Sequence, residues 1–217
     1  PAIIDEKGTH TYRDLLIAAR DVASCLLSDT DDLEEAPVAF MVQAGFDHVA
    51  VQWGIWQAGG VALPLCISHP SPELEYVVGD SKAQVAIAHP DFKDALRPIA
   101  NSRGVPLHLT SEMHRSESAS LPRLNLTRGA LILYTSGTTG KPRGVTCPHH
   151  NLTAQITTLI EAWQWTPKDR ILHVLPLHHT HGIVNALLCA LWAGAICEIL
   201  PRFDAPEVWN RFIHSEL

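Results

Sequence analysis

Apolar residues near the start of this chain recur at the spacing of an amphipathic helix. Thr11, followed three residues later by Asp14, has the spacing of a capping box, which satisfies free backbone amides where a helix begins. The apolar positions after it are separated by three or four residues, as on one face of a helix. These positions are Leu15, Ala18, Ala19, Val22 and Leu26. The pattern therefore predicts a first helix that begins after Thr11.

Short apolar runs then alternate with helical patterns along the rest of the chain. The predicted strands cover residues 37–42, 61–65, 84–88, 105–109, 130–134, 171–175 and 195–200. The predicted helices cover 46–58, 72–82, 92–102, 150–163, the stretch between the last two strands, and a segment from Pro206 onward. Continuously apolar strands separated by helices are typical of parallel sheets that are covered on both faces. We therefore expect an α/β fold with mostly parallel sheets covered by helices.

A polar segment divides the chain into two parts. Residues 110–128 are richer in Ser, Arg and Glu than their surroundings, which indicates a connection on the surface. We expect a first α/β subdomain over residues 1–125 and the start of a second one over residues 126–217.

The apolar run over residues 183–200 raises the alternative of a membrane-spanning helix. Glu198 interrupts the run, Gly194 lies where a helix would end, and Pro201 closes it. A buried helix followed by a buried strand accounts for these residues better, so we expect no transmembrane segment.

Composition and charge narrow the class of protein. Of the 217 residues, 46% are hydrophobic and 18% are charged, which is typical of a globular chain. The net charge is −7 and no run of Lys or Arg exceeds two, so we expect no binding to nucleic acid and favour small metabolites as partners. The five cysteines form no Cys-x-x-Cys pair, which favours free thiols and an intracellular location, in the mitochondrial matrix or the cytoplasm.

The most informative segment is a loop rich in glycine and hydroxyl side chains, which follows the strand predicted at residues 130–133. Glycines allow backbone N–H groups to approach an anion, hydroxyls can donate hydrogen bonds to phosphate oxygens, and a lysine adds a mobile positive charge. The candidate phosphate-binding residues are Thr135, Ser136, Gly137, Thr138, Thr139, Gly140 and Lys141. Such a set of groups can hold a triphosphate that is about to lose pyrophosphate.

Two other interpretations of this loop are less consistent with its sequence. The P-loop of NTPases has four residues between its first Gly and its Gly-Lys, whereas only two separate Gly137 from Gly140. Pro142, which follows Lys141, also lacks the N–H that a phosphate-binding helix start would use. A flexible linker rarely combines a preceding buried strand with the sequence Lys-Pro-Arg-Gly.

The sequence at residues 134–145, Tyr-Thr-Ser-Gly-Thr-Thr-Gly-Lys-Pro-Arg-Gly-Val, resembles the phosphate-binding signature of adenylate-forming enzymes. That superfamily includes acyl-CoA synthetases, luciferases and the adenylation domains of peptide synthetases. Residues 57–65 and 175–182 resemble further motifs of the same superfamily, so the likeness spans essentially the whole chain. Residues 178–188 and the Leu-Pro-Arg-Phe-Asp at 200–204 are most similar to malonyl-CoA synthetases. The resemblance implies that the chain is part of the large N-terminal domain of an adenylate-forming enzyme.

The resemblance implies an ATP-dependent acid–CoA ligase. Such an enzyme joins a carboxylate to AMP with release of pyrophosphate, and then passes the acyl group to the thiol of CoA. The expected small molecules are ATP, Mg²⁺ carried by the nucleotide, CoA as co-substrate, and a carboxylic acid, with malonate favoured. The alternatives are a ligase for another short or medium-chain acid and a non-catalytic nucleotide-binding fragment.

Later motifs of the superfamily do not occur in this sequence. They are the aromatic-Gly-x-Thr-Glu segment, the Thr-Gly-Asp that holds the ribose, the hinge, and the catalytic Lys of the C-terminal domain. The expectation is therefore that the second subdomain is truncated, that the C-terminal domain is absent, and that residues 1–217 alone are inactive.

A histidine cluster at His178, His179 and His181 allows three interpretations. A metal site has little support because no Cys pair, His-Glu-x-x-His pattern or nearby carboxylate accompanies it, and we expect no metal ligands. The histidines could instead cap a turn through hydrogen bonds to the backbone. The resemblance favours a third role, since the superfamily carries an aromatic residue or His at this place, beside the acyl-adenylate carbonyl. We therefore expect His179 to be the catalytic, substrate-side residue.

Overall fold

Two β-sheets form the framework of the computed structural model, which describes residues 1–114, 119–137 and 140–214. The strands are β1 (Ile3–Asp5), β2 (Gly8–His10), β3 (Pro37–Met41), β4 (Val61–Pro64), β5 (Val85–Ala88), β6 (Leu107–Leu109), β7 (Gly129–Thr135), β8 (Arg143–Pro148), β9 (Arg170–His173) and β10 (Ile196–Ile199). The helices are α1 (Tyr12–Leu26), α2 (Phe46–Gln57), α3 (Ser71–Asp80), α4 (Lys93–Arg103), α5 (His149–Trp163), α6 (Cys189–Trp192) and α7 (Ala205–His214). Within the described residues, one sheet has the order β6-β5-β3-β4-β7-β8 and the other has the order β2-β1-β10-β9.

Most neighbouring strands run parallel, which confirms the predicted fold class. Only the pairs β1–β2 and β7–β8 are antiparallel among the described strands. The sequence prediction omits β1, β2 and β8, and β8 begins at Arg143, in the stretch between residues 134 and 150 where no strand was predicted. The physical reason is that β1 and β2 are only three residues long, and that β8 is a mostly exposed edge strand with no continuous apolar run.

The two sheets do not follow the predicted boundary at residue 125. Strands β1 and β2, from the start of the chain, share a sheet with β9 and β10, whereas β7 and β8 extend the sheet built by β3 to β6. The division into two subdomains at residue 125 stays a prediction.

Helix α1 begins as the sequence predicts. The Asp14 amide donates to the Thr11 hydroxyl at 3.1 Å, and the Thr11 amide donates to the Asp14 carboxylate at 2.8 Å. Its inner face packs on α2 so closely that a Cβ on Gly54 would lie 2.5 Å from Val22. The absence of a side chain at Gly54 therefore permits this helix contact.

The apolar run over residues 183–200 forms a buried helix followed by a buried strand, as predicted. A π-helix, His181–Leu188, continues into α6, and β10 follows. The buried Glu198 on β10 pairs with Arg170 on β9 and, at 2.9 Å, with Arg211 on α7. In the described part of the chain, no helix combines the length and the apolar character needed to cross a membrane.

Two histidines are enclosed in the protein interior. His48 on α2 donates from Nδ1 to the Val42 carbonyl at 3.1 Å, and burial lowers its pKa to about 4. His173 at the end of β9 donates from Nε2 to the Gly182 carbonyl at 3.0 Å, and burial lowers its pKa as well. Both imidazoles are therefore neutral at physiological pH.

We expect the free energy of unfolding to fall as the pH is lowered from about 6.5 towards 4, because the unfolded chain binds a proton on His48 that the folded chain excludes. The contribution of His48 is fully present above that range and amounts to on the order of 3 kcal/mol. Urea unfolding at several pH values measures this dependence. His48→Asn, which keeps an N–H but does not titrate, should flatten it, whereas the exposed control His114→Asn should not. Equal slopes in wild type and His48→Asn would contradict the assignment.

Candidate active site

The candidate phosphate loop connects two antiparallel strands. Thr135 at the end of β7 pairs with Arg143 at the start of β8, so residues 136–142 form the loop. Thr135, Ser136, Gly140 and Lys141 are exposed, and they are therefore accessible to a ligand in solution. The predicted site residues Thr138 and Thr139 lie outside the described residues.

Both described glycines of the loop adopt the left-handed region that other residues rarely enter. Gly137 has φ +61° and Gly140 has φ +87°. A Cβ on Gly137 would also lie 2.3 Å from the Lys141 carbonyl oxygen, far inside van der Waals contact. The two sides of the loop therefore approach each other at Gly137, and a side chain there would open it.

Lys141 provides the positive charge of the loop. Its side chain is exposed, and no carboxylate of a described residue lies within ion-pair distance of its ammonium group. A lysine in this situation can contact an anionic ligand without first breaking an internal ion pair.

Helix α3 contacts both stems of the loop. The Tyr76 hydroxyl donates to the Pro142 carbonyl at 2.9 Å, and the Tyr134 hydroxyl donates to the Asp80 carboxylate at 2.8 Å. Burial and the neighbouring Asp80 raise the pKa of Tyr134, so its hydroxyl keeps the proton that it donates. These contacts could not be predicted from the sequence, because residues four positions apart, such as Tyr76 and Asp80, share a face in every α-helix.

The histidine turn, which contains His178 and His179, lies between β9 and the π-helix, and His181 is the first residue of that helix. The His178 ring lies tilted against that of His179, with centroids 4.2 Å apart and planes at 50°, and its centroid is 6.0 Å from that of His69. Burial lowers the pKa of His178 to about 4, and the neighbouring imidazoles act in the same direction. His179, the predicted catalytic residue, is exposed. The turn therefore presents an uncharged imidazole, His178, beside an accessible one.

Two further observations concern the surroundings of the histidines. Across the described ranges, no group of three or more His, Cys, Asp or Glu side chains is placed to hold a metal ion. Neither His178 nor His179 makes a side-chain hydrogen bond to the backbone of a described residue, and His181 faces Asn185 at 3.4 Å. His173 donates instead to the carbonyl of Gly182, at the start of the π-helix that follows the turn.

A cleft of about 490 Å³ lies between the two sheets, beside the histidine turn. Val42, Leu65, Val174 and Leu200 line it, and they directly follow β3, β4, β9 and β10 respectively. In α/β proteins, ligands bind in crevices at the carboxyl ends of parallel strands. His178 forms part of the same wall, so the cleft and the histidine turn belong to one site.

Comparisons with known proteins agree with this architecture. The family described as "AMP-binding enzyme" matches residues 1–216. The mitochondrial malonate–CoA ligase ACSF3 of Bos taurus is 44% identical over 227 residues, covering 99% of this chain and 39% of that protein. The malonate–CoA ligase of Arabidopsis thaliana is 37% identical, covering 84% of this chain and 32% of that protein. The chain thus spans about two fifths or less of the length of these relatives.

Solved structures share the fold. The ATP-bound structure of MatB from Rhodopseudomonas palustris superposes with a TM-score of 0.88 at 27% identity, covering 99% of this chain and 44% of that one. This match confirms the α/β architecture that the resemblance implied, that of the N-terminal domain of adenylate-forming enzymes. The roles of the individual loop residues and of His179 stay predictions. Because the family match extends over nearly every residue, this chain belongs to the AMP-binding enzyme family.

Proposed function

We propose that this protein is an ATP-dependent acid–CoA ligase. The observation that carries the proposal is the loop between β7 and β8, where Gly137 and Gly140 have left-handed backbones and Lys141 carries an exposed charge without an internal partner among the described residues. In the first step, a carboxylate oxygen attacks the α-phosphorus of ATP, and the bond from that phosphorus to the oxygen bridging to the β-phosphorus breaks. Pyrophosphate leaves, and an acyl-adenylate remains.

The loop would contribute to this step by position and charge. Residues 135–141 offer hydroxyl groups, backbone N–H groups and one ammonium group to the β- and γ-phosphates. Phosphoryl chemistry is accelerated mainly by such positioning and by neutralising charge on the leaving oxygens. Mg²⁺ would arrive with the nucleotide and add further positive charge at the phosphates.

The cleft beside the histidine turn suits the second step. There, a CoA thiol attacks the acyl carbonyl, AMP leaves, and the thiol proton passes to solvent. The cleft walls are mostly apolar, which suits an uncharged part of a substrate better than a triphosphate. His179 is the proposed substrate-side residue, because it is exposed next to His178, which lines the cleft.

Malonate is the proposed acid. Relatives named as malonate–CoA ligases are 37% to 44% identical to this chain. Although most of the cleft is apolar, His178 adds a polar group to its wall and the exposed His179 lies beside it, which suits a short polar acid better than a long alkyl chain. The vertebrate relatives carry "mitochondrial" in their names, and for this protein we propose either the mitochondrial matrix or the cytoplasm.

Replacing Lys141 with Ala should impair formation of the adenylate without unfolding the protein. Loss of a charged contact to the departing pyrophosphate costs about 2–4 kcal/mol, or roughly a hundredfold in rate. The measurement is acid-dependent exchange of pyrophosphate into ATP by the protein expressed from its complete coding sequence. Lys168→Ala removes another exposed lysine, outside the site, and should leave exchange unchanged. Equal exchange in both variants would remove Lys141 from the mechanism.

The complete protein should use malonate in preference to fatty acids. A site built for a second carboxylate leaves its hydrogen-bond donors unpaired when an alkyl chain enters, so the discrimination should be large. Values of kcat/KM for malonate, methylmalonate, acetate and octanoate measure it. A higher value for octanoate than for malonate would reject malonate as the substrate and leave the ligase assignment standing.

A further inference from the structure

One helix outside the phosphate-binding motif holds both stems of the loop. Tyr76 and Asp80 are four residues apart on α3, and they therefore lie on the same face of the helix. Tyr76 binds the carbonyl of Pro142, the last residue of the loop, at 2.9 Å. Asp80 binds the hydroxyl of Tyr134, which lies next to the end of β7, at 2.8 Å. Hydrogen bonds to α3 thus hold the chain on both sides of the loop glycines.

The two contacts form a packed unit. The rings of Tyr76 and Tyr134 meet edge to face, with centroids 6.4 Å apart and planes at 82°. Gly144 on β8 lies against the ring of Tyr134, where a Cβ would come within 3.1 Å. Both strands that carry the loop therefore contact the same tyrosine pair.

Strand pairing alone leaves the direction of the loop undetermined. The pair between Thr135 and Arg143 sets the separation of the stems, but β8 is the outermost strand of its sheet and is mostly exposed. An edge strand is held by ladder hydrogen bonds on one side only. The contacts to α3 bind the hairpin end to a helix that packs on the sheet through the buried Leu74, Val77 and Val78.

We propose that Tyr76 and Asp80 are positioning residues that orient the phosphate loop for the triphosphate of ATP. This inference rests on the proposed function, because it assumes that the loop binds ATP. It also predicts that changes at Tyr76 and Asp80 affect the first half-reaction and not the second. The loop is required while the triphosphate is bound and pyrophosphate departs, whereas the transfer from acyl-adenylate to the thiol takes place after pyrophosphate has left.

Tyr76→Phe removes one hydroxyl and keeps the ring against Tyr134. In the complete protein, the KM for ATP should rise by about 2- to 12-fold, the range that corresponds to loss of one neutral hydrogen bond. The KM for the acid and the rate of thiol transfer from pre-formed acyl-adenylate should not change. Tyr12→Phe is the matched control, because its hydroxyl donates to the Ala195 carbonyl at 2.7 Å, away from the loop. This control should leave the KM for ATP unchanged.

Asp80 provides a second, independent test. The side chain is exposed, so replacement should not prevent folding. Asp80→Ala removes the nearer of the two acceptors of the Tyr134 hydroxyl, which then has only the Val77 carbonyl at 3.4 Å, and should raise the KM for ATP. Asp80→Asn keeps an amide oxygen as acceptor and should restore it.

Three outcomes would overturn the inference: equal effects of Tyr76→Phe and Tyr12→Phe on the KM for ATP, equal effects of Tyr76→Phe on both half-reactions, or equal KM values for Asp80→Ala and Asp80→Asn. Failure of the proposed function looks different, because the wild-type protein would then show no acid-dependent pyrophosphate exchange.

Discussion

The parallel direction of the strands determines where the functional segments meet. Because parallel strands end at the same edge of a sheet, the residues that follow β3, β4, β9 and β10 come together around one cleft. The histidine turn follows β9 and the phosphate loop follows β7, which is parallel to β4. Backbone pairing thus aligns the strand ends within each sheet, and the packing of the two sheets brings the two sets of ends together around the cleft.

Helix α3 adds a connection between these segments. Tyr76 and Asp80, in its later half, contact the stems of the phosphate loop. At its start, Glu73 lies 3.5 Å from His69, whose ring is 6.0 Å from that of His178 in the histidine turn. One short helix therefore contacts the phosphate loop directly and is connected to the histidine turn through His69.

The elements that the sequence predicts well are those with a strong local signal. The Thr11–Asp14 capping box and the apolar strand β7 follow from spacing and composition, whereas the phosphate-binding role of the loop after β7 stays a prediction. Strand β8 escapes prediction because its stability comes from pairing with β7 and its side chains are mostly exposed. A π-helix of eight residues at His181–Leu188 cannot be told from an α-helix by apolar spacing. The contacts of Tyr76 depend on tertiary packing, and no local sequence pattern predicts them.

The proposed function requires that the loop over residues 135–141 binds the triphosphate. A crystal structure of the complete protein with a non-hydrolysable ATP analogue tests this directly. If the loop binds the triphosphate, the β- and γ-phosphate oxygens should lie within hydrogen-bond distance of the Lys141 ammonium group and of backbone N–H groups of the loop. Tyr76 should remain bound to the Pro142 carbonyl in that complex. A triphosphate bound elsewhere, with Lys141 still directed into solvent, would contradict the phosphate-binding role of the loop.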